Sequence, residues 1–170
     1  MTNTDIYKDI SARTNGAIMI GVVGPVRTGK STFIKRFMET IVIPNIDDEY
    51  MRERARDELP QSGSGRTIMT AEPKFVPEDA VEIRLGEDTN CSVRLVDCVG
   101  YMVSGASGRF EDGSERLVTT PWFDHEVTMT EAAESGTRKV ICDHSTIGLV
   151  ITTDGSICDI DRADYVEPEE

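Results

Sequence analysis

Residues 24–31 read GPVRTGKS and satisfy G-x-x-x-x-G-K-[ST] in full. They follow a continuous apolar run, IMIGVV at 18–23, of the kind that a strand buried on both faces produces. They open a segment, 30–43, in which Phe33, Ile34, Phe37, Met38 and Ile41 recur at helical spacing on one face. Lys35, Arg36 and Glu39 fall on the other face, and Pro44 is expected to stop the helix. Strand, tight glycine loop and helix in that order predict a phosphate-binding loop in an α/β fold. A surface glycine turn that happens to hold a lysine is the bland alternative, and the flanking strand and helix argue against it.

The chemistry of such a loop follows from its residues. Gly24 and Gly29 let the backbone curl without a Cβ, so that successive N–H groups can face phosphate oxygens. The helix beginning at Lys30 adds its positive dipole end. The expected phosphate-binding residues are therefore Gly24, Pro25, Val26, Arg27, Thr28, Gly29, Lys30, Ser31 and Thr32. Lys30 would bridge the outer two phosphates, and the Ser31 hydroxyl would ligate Mg²⁺.

A second motif narrows the class. VRLVDCVG at 93–100 is a strand ending in D-x-x-G, from Asp97 to Gly100. In switch NTPases that carboxylate serves Mg²⁺ and the glycine N–H meets the γ-phosphate. A threonine from a segment between the two motifs is then expected to sense Mg²⁺ and the γ-phosphate. The glycine-rich stretch QSGSGRT at 61–67 has the composition of a mobile loop and leads to Thr70, the first candidate, with Thr67 the second. The catalytic set is Lys30, Thr70, Asp97 and Gly100, and the metal set is Ser31, Thr70 and Asp97. Tyr101 stands where Ras-like enzymes place a water-orienting glutamine. Hydrolysis is then slow, uses another group, or needs a residue supplied on assembly. Arg27 and Arg66 either neutralise transition-state charge or face solvent. The guanine-reading N-K-x-D string is absent, so nothing in the residues favours guanine over adenine.

The rest of the chain frames the site. Residues 47–59 are heavily charged, with Met51, Ala55 and Leu59 four apart, and read as a surface helix. Val81, Ile83 and Leu85, then Cys91, Val93 and Leu95, alternate with polar residues, which predicts an antiparallel hairpin over 80–97. Residues 98–127 are loop-rich and stay unassigned. Thr128 with Glu131 three residues on predicts a capped helix to about Cys142, and 147–152 reads as another apolar strand. A doubly wound NTPase would continue with further elements, so the 170 residues are read as truncated, a complete but reduced domain being the alternative.

Charge bears on partners. The chain carries a formal −13, spread unevenly. Residues 1–60 hold nine basic and nine acidic groups, and 121–170 hold three and twelve. The neutral first third can host an anion, whereas overall acidity argues against a general nucleic-acid grip. No apolar run reaches the roughly 20 residues of a membrane helix, and the N-terminus lacks a signal-peptide core. The four cysteines form no C-x-x-C pair, so reduced, buried thiols in a cytosolic protein are expected rather than zinc ligands.

On IGVVGPVRTGKSTFIKRFME, RARDELPQSGSGRTIMTAEPKFVP, VRLVDCVGY, EAAESGTRKVICDHSTIG and VITTDGSICDI, the chain resembles the N-terminal portion of the stage IV sporulation protein A family. The resemblance covers essentially the whole chain. It implies a P-loop NTPase domain over 1–170, of the translation-factor-related GTPase type, that nonetheless binds and hydrolyses ATP with Mg²⁺. It implies Lys30 as the loop lysine, Asp97 as the strand-end aspartate and Thr70 as the sensing threonine. Thr70-Ala71 stands where relatives have two adjacent threonines. The implied output is self-assembly into a homopolymer, the basement layer of the spore coat. The implied place is cytoplasmic, on the mother-cell side of the outer forespore membrane. Implied partners are other copies, a small amphipathic membrane-bound peptide and spore coat proteins. A nucleotide-binding scaffold without turnover and a GTP-specific regulatory switch remain the alternatives.

Overall fold

A computed structural model of the chain describes residues 16–26, 28–60, 72–85, 89–102, 109–111 and 113–152. Four strands form the main sheet: β1 (Ala17–Val23), β2 (Lys74–Leu85), β3 (Thr89–Asp97) and β8 (Ile147–Val150), in the order β2-β3-β1-β8. β1 pairs parallel with β3, from Ala17 opposite Ser92 to Val22 opposite Asp97, and parallel with β8 on its other side. β2 runs antiparallel to β3, with a register shift between Val76 and Val81. The sheet is thus mostly parallel with one antiparallel hairpin. That hairpin begins at Lys74 rather than at 80, because Phe75 and Val76 already pair with Val96 and Leu95 before the irregularity.

The apolar run of β1 is explained by its central place. Val22 joins one core with Ile34, Met38, Val81, Ile83, Val93 and Leu95, while Val23 joins another with Val96, Cys98 and Val140. Side chains of a strand alternate between faces, so both faces of β1 are covered.

Helix α1 spans Lys30–Phe37 and then changes character, passing through a π turn (Met38–Val42) and a 3₁₀ turn (Ile43–Asn45). The π turn holds one more residue per turn than an α-helix and so slips the buried face by one position. Ile34 and Met38 are buried as their spacing predicts, but Ile41 is 43% exposed and Val42 and Ile43 take its place in the core. Pro44 does not stop the helical path, because it sits in the first turn of the 3₁₀ segment, where its missing N–H is not required. Helix α2 (Glu49–Asp57) is capped by Asp48, whose side chain accepts the Met51 N–H at 2.9 Å. Its Ala55 is fully buried, and Met51 and Leu59 pack on the same core.

Between β3 and helix α3 (Met129–Asp143) lie two small ribbons, β4 (Phe110–Glu111) with β5 (Ser114–Glu115) and β6 (Leu117–Val118) with β7 (Val127–Thr128). Thr128 caps α3 by accepting the Glu131 N–H at 3.2 Å. The expected apolar strand at 147–152 is shorter, Ile147–Val150. Ile147 and Val150 are exposed, on a strand at the edge of the sheet. The expectation of buried thiols holds for Cys91 and Cys98 but not for Cys142, which lies exposed near the end of α3; Cys158 lies outside the described residues. No helix among the described residues is long and apolar enough to cross a membrane.

Candidate functional site

The glycine loop sits at the end of β1, and the end of β3 lies beside it. The two strands are parallel neighbours, with Val22 opposite Asp97, so the chain leaving each strand emerges at the same edge of the sheet. That edge is where α/β folds collect ligands.

Four contacts assemble the site. The Lys30 ammonium donates to the Pro25 carbonyl at 2.6 Å and is 5% exposed. The Thr28 hydroxyl donates to the same carbonyl at 2.9 Å. The Ser31 hydroxyl donates to Asp97 Oδ2 at 2.5 Å. The Val26 N–H donates to the Tyr101 carbonyl at 3.1 Å, beside a parallel bridge between Pro25 and Tyr101. The loop is therefore joined by its backbone to the segment after Gly100, and by a side chain to the strand before it.

Glycine is required at specific points. Gly29 adopts φ 89°, a left-handed conformation that lets the loop turn into α1. Gly100 has φ 86°, and a Cβ there would run into the Gly24 carbonyl and Lys30 Nζ. Gly100 thus lies against both the first residue of the loop and its lysine.

Burial shapes the electrostatics. It pushes the Lys30 pKa down, against the raising influence of Cys98 and Asp97. It pushes the Asp97 pKa up, against the Ser31 hydrogen bond and the charges of Lys30 and Lys74. Asp97 Oδ1 is buried with no hydrogen-bond partner among the described residues. An ammonium and a carboxylate with an unused oxygen, both drawn from water, stand ready to interact with a charged ligand. No group of three or more His, Cys, Asp or Glu side chains is placed to hold a metal ion among the described residues. The donors present are one hydroxyl and one carboxylate, a set that fits a hard cation keeping water and phosphate oxygens as its other ligands.

The structure brings Gly24, Pro25, Val26, Thr28, Gly29, Lys30 and Ser31 to one place with Asp97 and Gly100. Thr32 lies on the first turn of α1 with an exposed side chain. Val26 is buried among Met102, Val127, Met129, Ala132 and Ala133, and its amide is taken by Tyr101. Thr70, Thr67, Arg66 and Arg27 lie outside the described residues. Tyr101 is 2% exposed, so the residue in the glutamine position is packed into the protein. Two participants escaped the motif reading: the Pro25 carbonyl that holds Lys30, and Cys98, whose thiol approaches Val22 and Thr137. Strand alternation carries the signal for Cys98, since the residue after Asp97 must face the opposite side of the sheet.

Comparison with known proteins bears on the same site. Residues 1–170 match the family model described as stage IV sporulation protein A, ATPase domain. Stage IV sporulation protein A of Clostridioides difficile (strain 630) is 64% identical over 168 residues, covering 99% of this chain and 34% of that protein. The Bacillus anthracis protein of the same name is 61% identical over 170 residues, covering 100% of this chain and 35% of its own. That of Bacillus subtilis (strain 168) is 58% identical over 170 residues, with the same coverage. The chain thus spans about a third of the length of the curated relatives it matches. No solved structure matches.

Proposed function

The chain belongs to the stage IV sporulation protein A family, as its ATPase domain, and on that premise we propose that it hydrolyses ATP with Mg²⁺ and couples turnover to self-assembly. The layer assembled would be the base of the spore coat, on the mother-cell side of the outer forespore membrane. Its neighbours there would be other copies, a small amphipathic membrane-bound peptide and coat proteins above. The fold assignment behind this is a P-loop NTPase of the translation-factor-related GTPase type, supported by the antiparallel β2 beside an otherwise parallel sheet.

The observation that carries the reading is the 2.5 Å bond from Ser31 to Asp97, made beside a buried lysine. Ser31 and Thr70 would hold the cation, with Asp97 behind Ser31 holding it through water. Bound Mg²⁺ would supply charge neutralisation on the outer phosphates. Lys30 would exchange its Pro25 carbonyl for phosphate oxygens, stabilising charge that develops as water attacks the γ-phosphorus. The Gly24 to Thr32 segment would cradle the phosphates through backbone amides. Gly100 would present its N–H to the γ-phosphate, and the product phosphate would leave that contact unmade.

One observation favours a second reading, a nucleotide-holding scaffold without turnover. Tyr101 is buried where a water-orienting glutamine would stand. Phosphate release and sedimentation of purified protein decide between them. Under the ATPase reading, ATP turnover is present and lost in Lys30→Ala, Thr70→Ala and Asp97→Ala, and sedimentable assembly is lost with it. Nucleotide binding with no release in wild type supports the scaffold. Tighter binding of GTP than ATP in competition would point to a guanine switch instead.

A further inference from the structure

Asp97 and Cys98 are adjacent but face opposite sides of the sheet. Asp97 turns to α1, where Ser31 donates to it. Cys98 turns to α3 and joins the core of Val23, Val96 and Val140. Its thiol, 5% exposed, donates to the Val22 carbonyl at 3.4 Å and lies 3.9 Å from Thr137 Oγ1. Thr137 is itself 2% exposed and sits on the buried face of α3, among Met129, Ala132, Ala133, Gly136 and Val140. The Cys98 thiol is the hydrogen-bonding neighbour of the Thr137 hydroxyl among the described residues.

We propose that Cys98 is a positioning residue, linking the Gly100 turn to helix α3 through Thr137. This rests on the ATPase reading given above. One turn of backbone holds three things in fixed relation: the Asp97 carboxylate, the Gly100 amide and the Cys98 thiol. Any shift of Gly100 toward or away from a phosphate therefore moves Cys98 against Thr137. The contact is polar in an apolar seam, and a buried hydroxyl left without a partner is costly, so α3 must follow. Movement reaching α3 also reaches Trp122, the only tryptophan in the chain, since Lys139 of α3 lies 6.0 Å from its ring. The link needs a small donor and acceptor at 98, which serine supplies and alanine does not.

The test uses the 170-residue chain, with ATP affinity, kcat, KM and Trp122 fluorescence followed in Cys98→Ala, Cys98→Ser, Thr137→Val and the double variant Cys98→Ala with Thr137→Val. Mutations along a coupling contact change function by about three- to thirtyfold. The expected result is a fall in kcat of that size in Cys98→Ala and Thr137→Val, with ATP affinity and KM within about threefold of wild type. The nucleotide-induced change in Trp122 fluorescence should shrink in parallel. Cys98→Ser should restore both, and the double variant should be no worse than either single one. Equal kcat and fluorescence response in Cys98→Ala and wild type would overturn the inference while leaving the ATPase reading intact. So would additive losses in the double variant, or a Cys98→Ser no better than Cys98→Ala. A wild-type chain that neither binds nor turns over ATP overturns the ATPase reading, and this inference with it.

Discussion

The Ser31 hydroxyl donates to Asp97 Oδ2 at 2.5 Å although 66 positions separate them in the chain. The bond joins the first turn of α1 to the end of β3, and the second oxygen of the same carboxylate is buried with no partner among the described residues. Such an arrangement orients a hydroxyl toward a cation while keeping a negative charge close behind it.

Replacing Asp97 by Asn keeps the shape and removes the charge. Apparent Mg²⁺ affinity in ATP turnover should fall about 10- to 100-fold, as for other outer-shell ligands. Nucleotide binding without Mg²⁺ should change far less. A magnesium titration of phosphate release checks this, and an unchanged half-saturation point would refute the role given to Asp97.

Lys30→Met should stabilise the chain in the absence of nucleotide. The ammonium is buried, and burial holds its pKa below the ordinary 10.5. A lysine with a lowered folded pKa binds fewer protons folded than unfolded, so between the two values stability rises with pH. The methionine variant should lose that rise. Its loss should leave the Pro25 carbonyl paired, because Thr28 still donates to it at 2.9 Å, and Asp97 keeps its Ser31 hydrogen bond and the charge of Lys74. Removing the desolvated charge should gain about 1 kcal/mol, or roughly 2–4 °C in Tm for a chain of this size. The same variant should show no stabilisation by ATP. Thermal melts with and without nucleotide, across pH, measure both effects.

Gly29→Ala and Gly100→Ala separate backbone strain from crowding. Both glycines have positive φ, 89° and 86°, so each alanine carries a conformational cost of about 1–2 kcal/mol. A Cβ at Gly29 meets nothing within 4 Å, whereas one at Gly100 strikes the Gly24 carbonyl and Lys30 Nζ. Gly100→Ala should therefore be the more destabilised variant in urea. It should also lose nucleotide affinity, because loop and turn can no longer close on each other. Equal midpoints for the two would contradict the close approach.

The π turn in α1 makes its own prediction. Val42→Asp should destabilise by about 3 kcal/mol or more, since it buries a charge in a fully buried position. Ile41→Asp, at an exposed position, should cost about 0.5 kcal/mol or less. Denaturant midpoints of the two variants give the answer, and the reverse order would restore an unbroken α-helical face.

That reversal of Ile41 and Val42 marks what the residues alone could not tell. Apolar spacing finds α1, β1, β2 and β3 because burial on one or two faces writes itself into a period, and α3 is found by its capping box, Thr128 with Glu131. A π turn shifts the period by one residue and leaves no local mark, since Ile41, Val42 and Ile43 are all apolar. The candidate site was legible in Lys30, Ser31, Asp97 and Gly100, whose motifs depend on fixed local geometry. Cys98 with Thr137 was not legible, because that pairing is set by tertiary packing, and Lys30 with the Pro25 carbonyl was not, because it depends on how the loop between them curls. The ribbons between β3 and α3 were missed because each strand has only two residues, too few for an alternation to show.

Glu115 should make the docking of those ribbons on α3 sensitive to acid. It accepts from the Thr130 hydroxyl at the start of α3 and from Arg109 at 3.4 Å. The bond from Thr130 is the largest cause holding its pKa below the usual glutamate value, with Arg109 adding to it. A carboxylate with a lowered folded pKa contributes stability that is present above the ordinary value and lost as pH falls through the folded one. Two backbone bonds report the docking, from the Met129 N–H to the Arg116 carbonyl at 2.8 Å and from the Arg116 N–H to the Arg109 carbonyl at 2.9 Å. Hydrogen-exchange protection at Met129 and Arg116 should hold at neutral pH and drop below the ordinary glutamate range. Glu115→Gln should show the low protection already at neutral pH, with little further change on acidification. Protection in the wild type that stayed constant through that range would remove Glu115 as the tether between the ribbons and α3.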